Sequence, residues 1–189
     1  FVLGGAAGLL ILCARLARNR LSRGFARLYI LVFQGTPLLM QLFILFFGFS
    51  LLGMDVSPWF AAALGLTLFT SAYLAEIWRG CVEAVPKGQW EASTSLALSW
   101  GQQMRHVILP QALRLAVAPT VGFSVQVVKG TAVASIIGFT ELTKTGSMLA
   151  NATFQPMLVF ALVAAGYFAL CFPLSLYAKR LERNFHVAR

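Results

Sequence analysis

Long apolar runs alternate with short polar breaks along the whole chain, and the breaks decide where elements begin and end. Val2 to Ala14 is apolar over 13 residues, short of the about 20 that a membrane-crossing helix needs. Since the chain opens at Phe1, this run predicts a first helix that lacks its beginning. Gly4 and Gly8 form a GxxxG pair, a spacing that lets helices approach closely in lipid. A run from about Leu28 to Leu52 predicts a second span, bent at Pro37. Gln34 and Gln41, seven residues apart within it, share one helical face, as an interhelical hydrogen bond or as the lining of a polar path.

The third predicted span runs from Trp59 to Trp78. Tyr73, Glu76 and Gly80 fall on one stripe near its end. A carboxylate there is costly unless it is paired or faces water, so Glu76 either pairs with a cation, with Arg79 close by, or meets a solute. Pro86 and Gly88 then stop the helix. They open an amphipathic segment, Gln89 to Arg114, that reads as a docking surface. Glu91 is expected in the first turn of a short helix, where negative charge suits the dipole. Ser99 with Gln102 matches a capping box, so a second helix should start there and enter the membrane near Leu109. Pro110 and Pro119 mark bends.

Leu115 to Ile137 forms the fourth apolar run, with Gln126, Lys129 and Thr131 toward its end. A lysine in such a place must snorkel, pair or line water. Gly138 to Pro156 is a polar interlude, carrying Glu141, Lys144 and Asn151, that predicts a short helix on the far membrane surface. The last run, Met157 to Tyr177, holds no charge and is anchored by Lys179, Arg180 and Arg183.

Composition agrees with a polytopic membrane chain: 59% of the 189 residues are hydrophobic, 11% are charged, and the mean hydropathy is +0.78. A soluble domain carries about 25% charged residues. The net charge of +9 does not indicate nucleic acid, because the basic residues lie between apolar runs rather than on one folded face. Five basic residues fall in 15–27, four in 79–114 and four in 179–189, out of 15 in all. The positive-inside rule places these three segments in the cytoplasm, giving five alternating spans and a cytoplasmic C-terminus. No internal repeat or linker divides residues 1–189, so one transmembrane domain is expected. Arginines follow the first apolar run instead of preceding it, which excludes a signal peptide. Cys13, Cys81 and Cys171 are scattered, without metal spacing, and read as packing residues; His106 and His186 read as solvated surface. No Walker loop, HExxH or GxSxG is present, so neither catalytic nor metal-ligating residues are expected.

Glu91-Ala92-Ser93, Leu96-Ala97, Val107 and Leu109-Pro110 resemble the EAA loop of bacterial ATP-binding-cassette importer permeases. Gly35-Thr36-Pro37-Leu38-Leu39 with Gln41, Ala72 to Gly80, Pro86 to Ala92, Leu109 to Arg114 and Leu181-Glu182-Arg183 resemble its polar amino-acid subgroup. The resemblance covers nearly the whole chain from Arg15. It implies an all-α bundle of five transmembrane helices with a cytoplasmic coupling helix, in the bacterial inner membrane. Implied partners are a second permease copy or paralogue, two ATPase subunits, an extracytoplasmic amino-acid-binding protein, a polar amino acid and membrane lipid. The chain itself would hold no cofactor, ATP and Mg being bound by the ATPase. Trp90, Glu91, Ala92, Ser93, Thr94 and Ala97 would couple to the ATPase, with Trp90, Ser93 or Thr94, and Ala97 on one helical face as an aromatic anchor beside small residues. Gln34, Gln41, Tyr73, Glu76, Gln126, Lys129 and Thr131 are the candidate path residues.

Departures from the family pattern are local. Ala97 replaces the loop glycine, Lys129-Gly130-Thr131-Ala132-Val133 replaces a more polar run, and Gly122 replaces an asparagine. An importer of a related small solute, such as an opine or compatible solute, fits the same motifs. An independent secondary carrier with Glu76 and Lys129 as an ion-coupling pair is the reading from another class.

Overall fold

The computed structural model describes residues 1–17 and 19–186 and is all-helical among them. Arg18, Arg189 and the His186 side chain, assigned above to basic segments, lie outside this description. In chain order the helices are α1 (Val2–Leu16), α2 (Arg20–Gly35), α3 (Leu38–Leu51), α4 (Pro58–Glu83), α5 (Lys87–Ser95), α6 (Trp100–Gln103), α7 (Leu109–Thr131), α8 (Leu142–Thr153) and α9 (Pro156–His186). A π turn, Met104–Ile108, joins α6 to α7, and a 3-10 turn, Ala132–Ile137, follows α7. Three helical stretches, Pro58–Glu83, Trp100–Ile137 and Pro156–Arg183, are long and apolar enough to cross a membrane, and the bent pair α2–α3 makes up to four. At 15 residues α1 falls short of that length.

Helix α4 is the hub. Ser57 caps its start by accepting from the Phe60 amide at 3.2 Å, and Pro58 occupies the first turn, where its missing N–H costs nothing. Helix α1 lies against it through Gly4 and Gly8: a β-carbon at Gly4 would come within 2.6 Å of Thr70, and one at Gly8 within 3.1 Å of the Ser71 carbonyl. The GxxxG pair is therefore a close helix crossing. Tyr29 ties α2 to α4, its hydroxyl sharing a 2.6 Å hydrogen bond with Ser71 Oγ and donating to the Leu68 carbonyl at 3.2 Å. Trp78 Nε1 donates to Thr120 Oγ1 at 2.8 Å and ties α4 to α7.

The expected bend at Pro37 is present and sharp: α2 ends at Gly35, α3 starts at Leu38, and the pair is bent by 101°. Thr36 and Pro37 are extended, and Pro37 has no amide to carry a helix through. Gln34 and Gln41 therefore do not share a helical face. The polar interlude forms the expected short helix, α8, which runs antiparallel along the start of α9, pairing Leu142 with Gly166 and Gly146 with Val163. Thr143 meets Tyr167 in the same register, its Oγ1 donating to the Tyr167 hydroxyl at 3.3 Å. Glu141 caps α8, accepting from the amides of Thr143 and Lys144 at 2.8 and 2.7 Å, and takes the Tyr167 hydroxyl at 2.6 Å. Cys81 and Cys171 are buried, as packing residues should be, whereas Cys13 is exposed.

Candidate functional sites: a helical knob and a polar stripe

The knob is built by α5, α6 and the π turn. Helix α5 begins directly after Pro86, so Glu91 sits in its second turn rather than its first. Trp90 is half-buried against a core of Val82, Val85, Met104, Ile108 and Ala112. Ser93, only 2% exposed, donates its hydroxyl to the Trp90 carbonyl at 2.8 Å. Trp90 thus anchors the helix to its own chain, in place of the outward anchor expected from sequence. The outward face is Lys87, Glu91, Ala92, Thr94 and Ser95, followed by Leu96 at 73% exposure.

Ala97 leaves the helix and takes φ +53°, so it does not share a face with Trp90 and Ser93. This is the left-handed region that glycine fills without strain, at a cost to alanine of about 1 kcal/mol. The turn is made here with a methyl group present. Beyond it, Gln102 Oε1 accepts from the Ser99 amide at 2.9 Å in the predicted capping box. The π turn places its wide loop just before Pro110, whose ring collides with the carbonyl four residues back in a regular helix. A continuous helical stretch then leads from the knob into the apolar body, and Gln111 braces the two parts by donating to Gln89 Oε1 at 3.2 Å.

The second site lies on α7. A cavity of about 810 Å³ opens between α4, α7 and α9, with Glu76, Arg114, Lys179 and Glu182 among its charged lining and Gly80 and Gly122 among its small lining. Leu115, Ala118, Pro119 and Gly122 border it, and Gln126 and Lys129 continue the same stripe at helical spacing, both exposed. A cavity with four charged residues in a largely apolar lining thus adjoins a helix stripe that ends in exposed Gln126 and Lys129. In hydrocarbon such a line is costly, so it faces water or another chain.

The seven path candidates divide three ways. Glu76 lines the chamber and pairs with Arg79, which donates through Nε at 2.9 Å to both carboxylate oxygens and through Nη2 at 2.6 Å; Arg79 also pairs with Glu83. Gln126 and Lys129 lie on the exposed stripe. The rest are held internally: Tyr73 stacks on Phe123 at 5.4 Å, and Gln34 donates to the Ala72 carbonyl at 3.4 Å. Gln41 is buried, and its amide donates to the carbonyls of Phe33 and Thr36 at 2.9 and 3.0 Å. Thr131 bonds the Val128 carbonyl at 2.7 Å. Arg114 and Lys179 were missed as site residues because their charge served only to orient the chain, and Glu182 because it was read only as part of a motif; their position beside apolar runs was the available signal.

Comparison with known proteins supplies the remaining findings. The family model described as "Binding-protein-dependent transport system inner membrane component" matches residues 4–187. The probable amino-acid ABC transporter permease protein YckA of Bacillus subtilis (strain 168) is 38% identical over 182 residues, 96% of this chain and 80% of that protein. The L-cystine transport system permease protein TcyB of the same strain is 34% identical, over 97% and 79%. The nopaline transport system permease protein NocM of Agrobacterium fabrum (strain C58 / ATCC 33970) is 36% identical, over 85% and 71%. Among solved structures, a chain from an amino acid ABC transporter with histidines superposes with a TM-score of 0.93 at 32% identity, over 97% of this chain and 86% of that one. An inward-facing MetNI methionine ABC transporter chain shares the fold at a TM-score of 0.75 and 22% identity, over 98% and 87%.

Proposed function

The chain belongs to the binding-protein-dependent transport system inner membrane components, and from that premise we propose that it forms the solute path of an ATP-driven importer for a polar or charged amino acid. What supports this most is the likeness, over nearly the whole chain, to a chain of an amino acid ABC transporter and to amino-acid ABC transporter permeases.

In this reading α1, the bent pair α2–α3, α4, α6–α7 and α9 are five spans, with the basic segments and the C-terminus in the cytoplasm. Helix α5 is the coupling helix. Its outward face, Glu91, Ala92, Thr94 and Ser95, docks on an ATPase subunit that holds ATP and Mg, while Trp90 and Ser93 make it rigid with α7. Closure of the ATPases then moves a lever rather than a loop, re-aiming the spans between inward and outward states. A second permease, identical or paralogous, covers the polar stripe of α7. Gln126 and Lys129 then face the solute, which an extracytoplasmic binding protein delivers and the Glu76 chamber receives. Lysine and arginine on this route suit the carboxylate common to all amino acids.

Uptake of labelled arginine, histidine, glutamine, glutamate and cystine tests this, in cells expressing the permease with its ATPase and binding protein. ATPase-dependent uptake of one of them is expected, lost with a hydrolysis-dead ATPase. Uptake indifferent to the ATPase would instead indicate a secondary carrier. The likeness to a nopaline permease favours, as a second reading, an amino-acid conjugate of the opine class; uptake of nopaline alone would select it.

A further inference from the structure

The first 54 residues contain five arginines and no carboxylate, the first acid being Asp55. Three of those arginines, Arg20, Arg23 and Arg27, recur at helical spacing on α2 and are exposed. Among the described residues the ion pairs are those of Arg79 with Glu76 and Glu83, so none of the three has a carboxylate partner.

Helix α2 presents three faces of about 120° each. Ser22, Ala26, Ile30 and Phe33 turn inward. The arginines form the second face. The third is Leu21, Phe25, Leu28 and Val32, with Leu21 81% and Phe25 65% exposed. Where the arginine and apolar faces meet, at the start of α2, an open recess of about 590 Å³ is lined by Ala14, Arg20, Leu21, Ser22, Gly24 and Phe25. The Arg20 guanidinium and uncovered leucine and phenylalanine thus border the same recess, and Arg23 and Arg27 extend the arginine face beyond it.

We propose that this recess and the arginine face of α2 bind an anionic phospholipid. The phosphodiester accepts from the Arg20, Arg23 and Arg27 guanidiniums, whose planar donor fork matches phosphate oxygens. An acyl chain lies along Leu21, Phe25 and Leu28. The combination selects lipid over an acidic protein surface, because a carboxylate-rich protein face satisfies the arginines and leaves the apolar stripe in water. A basic helix flanked by an apolar face is the form that settles at a charged membrane surface. The site rests on the membrane placement proposed above, not on the identity of the solute.

Native mass spectrometry of the purified permease–ATPase complex, titrated with phosphatidylglycerol or phosphatidylethanolamine, tests it. Preferential retention of phosphatidylglycerol is expected, falling roughly tenfold in the Arg20→Gln/Arg23→Gln/Arg27→Gln variant. The matching Arg→Lys variant keeps the charge and should retain an intermediate amount. Lys179→Gln/Arg180→Gln should retain it fully. Equal retention of the two lipids, or undiminished phosphatidylglycerol on the triple glutamine variant, would overturn the site. So would loss of the ATPase subunit with lipid retention unchanged, which would assign the arginines to a protein partner. Uptake is read separately: intact ATPase-dependent uptake without lipid preference refutes the site alone, and lipid preference without such uptake refutes the importer reading alone.

Discussion

Helices α4 and α9 both qualify as membrane spans, yet the more apolar of the two is the less buried. In its most apolar stretch α9 has 11% of residues buried inside the chain, against 44% for α4. Helix α4 carries Glu76, Arg79 and Glu83, and nevertheless gathers α1, α2, α3 and α7 around itself. The difference teaches what holds helices together in lipid. Apolar side chains gain little by leaving hydrocarbon for protein, so association depends on close backbone approach and on hydrogen bonds between helices. Helix α4 has both, in the Gly4 and Gly8 crossings and in the Tyr29–Ser71 and Trp78–Thr120 bonds. Helix α9 packs along α7 and α8, with close approach where Gly146 meets Val163 and Gly166 meets Leu142 and with the Tyr167–Glu141 hydrogen bond, and the rest of its apolar surface is left uncovered.

The largest effect should come from breaking the hub. Gly4→Leu forces a side chain into Thr70 and should destabilise the solubilised protein by about 3 kcal/mol, read as earlier loss of monodispersity on heating. Next comes the small-residue contact on α9: a β-carbon at Gly146 would lie 2.5 Å from Val163 Cγ2. Gly146→Ala should cost about 1.5 kcal/mol, and Val163→Ala added to it should restore part of the loss. A double-mutant cycle of Trp78→Phe and Thr120→Val should give a coupling of about 0.6 kcal/mol, typical of hydrogen bonds between membrane helices. Smallest of all, Leu162→Ala on the exposed face of α9 should shift the same melting readout by less than about 0.5 kcal/mol. A large loss there would mean that α9 is held by apolar contact after all.

The same distinction explains what was legible in the sequence. The span predicted over Trp59–Trp78 lies within α4, and the Ser99–Gln102 capping box forms, because hydropathy and capping are local properties. The bend at Pro37 was legible from the proline, but its 101° size was not. Gln41 reaches back across it to the carbonyls of Phe33 and Thr36, which a face-based reading of glutamines cannot anticipate. Nor does alanine announce a left-handed turn, so the conformation of Ala97 emerged only from its φ. Trp90 was visible as an anchor, but its direction is set by a core whose members come from α4, the loop after it, the π turn and α7. The cavity lined by Arg114 and Lys179 joins residues far apart in the chain, and helical spacing cannot foretell that they share it.

The most direct measurement concerns the knob, because coupling to an ATPase separates an importer subunit from every other reading. Glu91→Ala/Ala92→Leu changes two exposed side chains and leaves the Trp90 and Ser93 attachment in place. The expected result is that permease and ATPase still copurify with an unaltered melting profile, while ATPase-driven uptake is lost. Uptake at the wild-type rate in that variant would contradict α5 as the coupling helix.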